Sequence, residues 1–536
     1  MDNSAFVDFD DNNEFTDKSK KGLDKVELPP SPPEKVHSFD EAIVLTDIGV
    51  FHYFLTLVCG LCFMTVMVET MGISIMLPFL KCDLSSTIAE QGFLASSGFF
   101  GIVVSSHAMG FFADTWGRIK TLRTALTFGF ITTVISAFSI NIWMLIVFRF
   151  LNGLAISGCQ ACVFSFLGEF HGNATRMKYV TMLSMFLPIG LMFLPGLATV
   201  ILPLQFDFNV LGLSFTPWRA FLLANSCLSL IALSGLFLLP ESPKYSLIQG
   251  KVENAMQTFR TIFKWNTGRS ESEYPVKRVN IELSGANLSN IHGLKGALSL
   301  IWNQTKPLFS RNRIVHTTNI CGIMFVIFAI SQGTFMWFPT MLDQIVSKSE
   351  TNYLVCEILD MHGTSSKDAN GTITEEQCGG PVNTGMFQIL IMIGGVFTCV
   401  YLVFTFTIDI IGKKNLLIIW MTLAASSCLL IHWVSSYVLS IVLLTLTMTT
   451  GSCGGIVSAI SMEYFPTNVN AMAMCLIMMV GRLGAVVGSN FVGLAIFSNC
   501  NMLFYVYVGV IAIIALCSTF LPSNKVNIRK KNSSCC

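Results

Sequence analysis

Glu69 lies inside the apolar stretch FMTVMVETMGISIMLP. Holding an ionised side chain at the centre of a hydrocarbon-spanning helix costs about 2.5–3.5 kcal/mol on insertion scales. A carboxylate kept there therefore invites two readings: it exchanges a proton or contacts a cation, or it is paired with a buried base for structure. Arg149, in RFLNG, and Arg482, in GRLGAVVG, are the other deep charges. Arg149 reads either as a coupling residue or as one side of an internal ion pair. Arg482 reads as a substrate contact or as an anchor for helix packing on a glycine-rich face. Gln332, Phe335 and Trp337 offer an amide and aromatic faces that suit a small polar or cationic organic solute. Their alternative role is packing or lipid contact.

A second kind of chemistry is written twice. GFFADTWGRIKTL places Gly110, Asp114, Gly117, Arg118 and Lys120 between two apolar runs, and TIDIIGKKNLL repeats the pattern with Asp409, Gly412, Lys413 and Lys414. Asp114 ends a helix, where the dipole already carries partial negative charge, so it needs an outside partner: helix N–H groups or a basic side chain. Gly110 leaves room for another helix to approach, and Gly117 takes the positive φ of a tight reversal. The turn reads as a breakable clasp between helices.

These residues must be positioned by membrane helices. Of 536 residues 52% are apolar and only 12% charged, and only helices satisfy the backbone of long apolar runs in lipid. Twelve runs, in two sets of six, lie near 50–79, 92–113, 119–139, 143–168, 178–203, 217–239, 315–341, 384–408, 415–434, 437–462, 471–497 and 502–521. The expected fold is all-α, twelve transmembrane helices in two six-helix bundles. Its expected parts are an acidic disordered tail (1–49), a first bundle (50–240), a linker (241–313), a second bundle (314–522) with a loop at 343–383, and a short tail (523–536). The linker stretch Lys251 to Lys264 is spaced like an amphipathic helix, docked either between bundles or on lipid.

Lys and Arg collect on one side, including eleven between Lys244 and Arg313. The positive-inside rule makes that side, with both termini, cytoplasmic. The first tail holds twelve acidic against five basic residues, a composition that stays solvated and could engage a protein partner. On the opposite side Asn370-Gly371-Thr372 is the one sequon that topology exposes to glycosylation. Cys82, Cys356, Cys378 and Cys500 face the same side. Four cysteines permit three pairings, and Cys356 with Cys378 is favoured here as the local one.

The charged turn resembles the signature between spans two and three of the major facilitator superfamily, and its recurrence between spans eight and nine resembles that family's homologous halves. RFLNG, GEFHGNATR (Gly168 to Arg176), PESPK (Pro240 to Lys244) and EYFPT (Glu463 to Thr467) are similar to motifs of its sugar-porter and organic-ion branches. WRAFLL…LPESPKYSLIQGKVENA and FDEAIVLTDIGVFHY most resemble the synaptic-vesicle-glycoprotein-2 group. The resemblance runs from about residue 39 to 522. It implies the major facilitator fold and alternating access. It also implies a latch of cytoplasmic ion pairs locking the two halves together, at Gly110, Asp114, Gly117, Arg118, Lys120, Glu169, Arg176, Glu241, Asp409, Gly412, Lys413 and Glu463. Lys413 stands where Arg is usual and Asn470 where a further Arg would stand, so the second half of the latch is expected to be looser. The vesicle glycoproteins carry a much larger external domain than the loop of about forty residues present here.

Two functions follow. One is secondary active transport of a small organic solute, with proton coupling through Glu69 as its finer form. The other is a vesicle-membrane glycoprotein that binds partners and moves little. No phosphate-binding G-x-x-x-x-G-K-[ST] loop, H-E-x-x-H motif or spaced Cys/His cluster occurs, so neither an enzyme, a metal nor a cofactor is expected, and the near-balanced charge gives no sign of nucleic acid. The expected partners are a small-molecule substrate and the bilayer; the expected address is the plasma membrane or a secretory or synaptic vesicle. Asn370→Gln should abolish the whole glycosidase-sensitive gel shift, and a residual shift would overturn this topology.

Overall fold

The computed structural model describes residues 36–204, 206–210, 212–280, 306–311, 313–347, 353–364, 384–465, 467–496 and 498–521. The first part of the tail, Asn370, Cys378 and the closing tail lie outside the described residues. The long helices are α2 (Val50–Asp83), α3 (Ile88–Trp116), α4 (Arg118–Ala137), α5 (Ile142–Gly168), α6 (Asn173–Ser184), α7 (Phe186–Ile201), α8 (Pro217–Leu238), α11 (Ile314–Ser347), α13 (Thr384–Ile411), α14 (Lys413–Leu430), α15 (Tyr437–Met448), α16 (Cys453–Tyr464), α17 (Thr467–Ile496) and α18 (Cys500–Thr519). Shorter ones are α1 (Phe39–Val44), α9 (Pro243–Ile248), α10 (Val252–Thr267) and α12 (Val355–Thr364). Among the described residues eleven spans are long and apolar enough to cross a membrane, with α6 and α7 joined as one and α15 and α16 as another. The twelfth expected span, α4, is diluted by Arg118, Lys120 and Arg123 in its opening turns.

Local sequence sets the ends. Thr87 and Glu90 close a capping box on α3, and Asn141 and Asn499 cap α5 and α18. The two charged turns share one backbone device: Gly117 at φ 110° and Gly412 at φ 86° reverse the chain between α3 and α4 and between α13 and α14. Span ten was expected to be continuous. It breaks into a 3-10 turn over Thr449–Ser452, inside the glycine-rich TTGSCGG, and Gly451 there packs against Ser331 of α11.

Close backbone contacts knit each half. A Cβ on Gly153 would fall 2.2 Å from the Gly98 carbonyl, joining α5 to α3. Side chains at Gly484 and Gly488 would fall 2.1 Å from the Phe325 and Ala329 carbonyls, joining α17 to α11. Between the halves, α3 packs on α17, α7 on α13 and α2 on α11. At the end remote from the charged turns these contacts are tight. Gly92 meets Asn490, Gly394 meets Met192, and a cavity of only ≈ 20 Å³ remains among Met71, Leu191, Phe335, Phe338 and Leu390. Toward the charged turns the halves part. Nothing lies within 4 Å of a Cβ placed on Gly110, and a surface hollow of ≈ 380 Å³ borders Met177 and Thr181 of α6 and Met185 just beyond it. Gly110 thus does not seat another helix in this conformation, contrary to expectation.

A small cap covers the charged end of the first half. Residues 36–49, expected in the disordered tail, instead form β1 (Val36–Ser38) and α1. β1 pairs in parallel with β4 (Arg278–Asn280) of the linker; the other two strands, β2 (Phe208–Val210) and β3 (Leu213–Phe215), form a hairpin. The apolar face of α10 (Met256, Phe259, Phe263) is buried with Ala42, Ile43 and Tyr274, so this helix docks within the protein and does not present that face to lipid. The Tyr274 hydroxyl donates to the Ala42 carbonyl at 2.6 Å. The Asn266 amide holds the entry to α2, donating to the Thr46 and Asp47 carbonyls and accepting from the Phe51 N–H.

Cys356 is bonded to Cys500, not to Cys378 as expected from proximity in sequence. The described contacts explain the choice: α12 packs on α18 and α11, bringing the two Cα atoms to 5.3 Å. A protease site inserted after Gly380 tests the pairing. Cut protein should stay linked until reduced, and Cys500→Ser should let the fragments part without reductant. Separation of the unreduced native fragments would restore the local pairing.

Candidate functional site

The charged turn of the first half is built around Arg118. Gly117 ends α3 and lets Arg118 start α4, so its guanidinium reaches back to Asp114 at 2.9 Å and across to Glu169 at 3.2 Å, and donates to the Ala113 carbonyl at 3.0 Å. Arg118 and Glu169 are only 12% and 7% exposed, whereas Asp114 is 58% exposed. Burial pushes the Glu169 carboxyl above the usual range, against the opposing pull of Arg118. It therefore takes up a proton, and loosens its grip on Arg118, at a higher pH than an exposed glutamate would. By linkage its own contribution to stability grows as pH falls through that raised value and is lost as pH rises.

Glu241 completes the turn by capping α4: its Oε1 accepts from the Ile119 N–H at 3.1 Å and the Ser242 N–H at 3.0 Å. The Tyr245 hydroxyl donates to the Thr115 carbonyl, and Arg118 lies over the Tyr245 ring. Arg176 stands exposed along Gly168, and Lys120 is exposed; neither meets a carboxylate among the described residues. In the second half Lys413 pairs with Glu463, while Lys414 caps α18 at the Thr519 and Leu521 carbonyls. The Asp409 side chain lies outside the described residues. The resemblance implied ion pairs that lock one half to the other. In this conformation each described pair joins residues of one half.

The deep charges come together in a way their spacing did not reveal. Arg149 of α5 donates to Glu69 Oε2 of α2 at 3.0 Å, and the Thr133 hydroxyl of α4 donates to the same oxygen at 2.7 Å. Arg149 also donates to the Ser136 hydroxyl, and Asn152 holds Thr133 in place. Both charged side chains are almost wholly buried, at 1% and 3% exposure. Glu69 Oε1 and Arg149 Nε nevertheless have no hydrogen-bond partner. Gln332 is half-buried beside Ser331, which faces the break in span ten. Trp337 is fully buried; its indole N–H donates to the Ser489 carbonyl and its ring covers Gly493, so it packs α11 on α17 and does not line a solute path. Arg482 reaches the opposite half and donates to the Ser106 hydroxyl at 2.9 Å. The break at Thr449–Ser452 escaped the hydrophobic pattern; the run of small polar residues and glycines was its signal.

Two helical halves closed at one end, with buried charges inside and charged reversals outside, define an integral membrane protein of the transporter type. The model of the major facilitator superfamily matches residues 58–489, and the chain belongs to that family. It is similar to synaptic vesicle glycoprotein 2A of Rattus norvegicus, 27% identical over 311 residues, 55% of this chain and 42% of the relative. It is also similar to synaptic vesicle glycoprotein 2B of Mus musculus, 22% identical over 58% of this chain and 48% of the relative. The matched part thus spans less than half the length of these relatives. In fold it is similar to the inward-open xylose transporter XylE from E. coli, with a TM-score of 0.62 at 16% identity over 88% of this chain and 97% of that one. A mutant of the nucleoside transporter NupG gives 0.58 at 14% identity over 87% and 99%.

Gly117→Ala tests the turn. Its backbone sits where a side chain is strained, by about 1–3 kcal/mol, and the new Cβ would fall 2.3 Å from Glu241 Oε2. Gly412→Ala shares the strain but meets nothing within 4 Å. Thermal unfolding in detergent should show the larger loss for Gly117→Ala; equal losses would count against the Glu241 contact.

Proposed function

We propose that the protein is a secondary active transporter that carries a small organic solute by alternating access, with protons coupled through Glu69 and Arg149. The observation that carries this reading is the asymmetry between the ends, tight at Gly92–Asn490 and Gly394–Met192 and open around Gly110. Two rigid halves that close at one end and part at the other are what alternating access requires. The positive-inside rule puts the open, basic end in the cytoplasm, so this conformation faces inward. Re-forming contacts there around the exposed Asp114 gives the outward-facing state.

The coupling reading rests on the buried pair. A carboxylate whose base stands 3.0 Å away and whose second oxygen is unpartnered can take a proton at Oε1 and release Arg149. Protonation then changes how α2 and α5 are held together, linking proton uptake to the movement of helices. The similarity to synaptic vesicle glycoproteins 2A and 2B supports the second reading, a vesicle-membrane glycoprotein, and the same experiment separates the two.

In liposomes holding the purified chain, a solute from pooled sugars, cations and anions should drive proton movement, and Glu69→Gln should abolish it. Breaking a buried pair costs about 3–5 kcal/mol, so the double variant Glu69→Gln/Arg149→Gln should recover thermal stability without recovering flux. Proton movement surviving in Glu69→Gln would overturn the coupling role. Silence toward every pool by folded native protein would favour the glycoprotein reading.

A further inference from the structure

We propose that Cys62 and Cys159 bind one copper(I) ion between α2 and α5, with the thiols of Cys59 and Cys162 beside them. Such a site stands apart from any transport activity. Along the chain CGLC (Cys59 to Cys62) and CQAC (Cys159 to Cys162) lie far apart in apolar runs and form no metal-binding spacing. The fold sets them face to face. α2 and α5 run antiparallel: the Phe51 and Phe170 rings meet at 5.5 Å, His52 Nε2 donates to the Phe170 carbonyl at 3.1 Å, and further in Arg149 meets Glu69 at 3.0 Å. Counting eleven residues inward from Phe51 and from Phe170 reaches Cys62 and Cys159; counting eight reaches Cys59 and Cys162.

Residues three apart share one face of a helix, so each C-x-x-C puts its two thiols on one side. Cys159 stands close enough to Cys62 and to Cys162 for their charges to interact, as Cys59 does to Cys62. All four are free thiols with 0% exposure, packed in the apolar core of the first half. A buried cysteine by itself packs as a small apolar residue, and single ones such as Cys321 and Cys453 need no other account. Two C-x-x-C stretches level with each other on facing helices place sulfur opposite sulfur, which packing alone does not require.

The arrangement selects the ion. Among the described residues no three Cys, His, Asp or Glu side chains are placed to hold one metal together, so a tetrahedral zinc site, which needs four ligands, does not fit. Two thiolates suffice for copper(I), a soft, singly charged closed-shell ion that sulfur binds in a linear geometry. Two Cu–S bonds form, the two thiol protons leave to water, and no electron is transferred. The complex keeps one negative charge. Arg118, whose charge reaches Cys162, stands at the head of this ladder to offset it, and Glu169 Oε2 there is buried without a hydrogen-bond partner. A cation entering from that end meets a carboxylate oxygen first and sulfur next. By the positive-inside rule the end is cytoplasmic, where thiols stay reduced.

The test uses the full chain, purified without oxidation and given copper(I) from a chromophoric chelator that takes back weakly held ion. Native protein should retain about one copper(I) per chain more than Cys62→Ala or Cys159→Ala, while Cys321→Ala, in the second half, should retain as much as native. Copper(I) should raise the thermal midpoint of the native chain and of Cys321→Ala and leave that of Cys62→Ala unmoved. At one equivalent of copper, X-ray absorption of the native protein should show two sulfur neighbours in a line. Equal retention by native protein and by Cys62→Ala or Cys159→Ala would overturn the site. So would three or four sulfurs about the ion, or uptake of zinc(II) in preference to copper(I). The native spectrum needs no variant, and it decides alone should neither alanine variant fold.

Discussion

An ionised group inside a hydrocarbon-spanning bundle must find its counter-charge in the protein itself. The first half obeys this closely. Glu69 and Arg149 neutralise each other across α2 and α5, with Thr133, Ser136 and Asn152 supplying the polar contacts that lipid cannot. Arg118 draws Asp114 and Glu169 to one point at the end of the same bundle. These two pairings fix how α2, α3, α4 and α5 meet, and much of the remaining packing is apolar side chains fitted around them. Both halves also close backbone on backbone through glycines, α3 with α5 in the first and α11 with α17 in the second.

That construction bears on movement. Held by close backbone contact, and in the first half by specific ion pairs as well, both halves behave as stiff units, so a change of access is confined to the surfaces between them. Those surfaces are made by α3 with α17, α7 with α13 and α2 with α11. The latch residues implied by the family resemblance are consistent with this division, since their described pairs stay within one half when the charged end is open.

Much of this architecture is legible in the sequence because lipid imposes a simple rule on it. Long apolar runs mark the spans, and the duplicated turn marks the two halves; the family match over residues 58–489 agrees with both. Partner choice is less legible. Glu69 and Arg149 are 80 positions apart and each stood out alone, yet nothing in one dimension says that they touch. Cys356 and Cys500 pair across 144 positions because α12 folds back on α18, a fact of packing that distance along the chain conceals. Trp337 is aromatic and lies in a span, but only the glycine opposite it, Gly493, shows that it is buried between helices. Residues 36–49 look like tail because Asp40, Glu41 and Asp47 interrupt their apolar residues, and Ala42 and Ile43 need α10 before they have anything to bury against.

The small parallel sheet carries a consequence for biosynthesis. Parallel strands always need a crossover between them, and here the crossover from β1 to β4 is the whole first bundle together with α9 and α10. While the chain is being made, Val36–Ser38 therefore has no partner until six spans and the linker helix have emerged. The pairing of β1 with β4, and the grip of Asn266 on the entry to α2, can form only after that bundle exists. The cap is thus a late seal on the first half, closed only when everything it encloses has been synthesised.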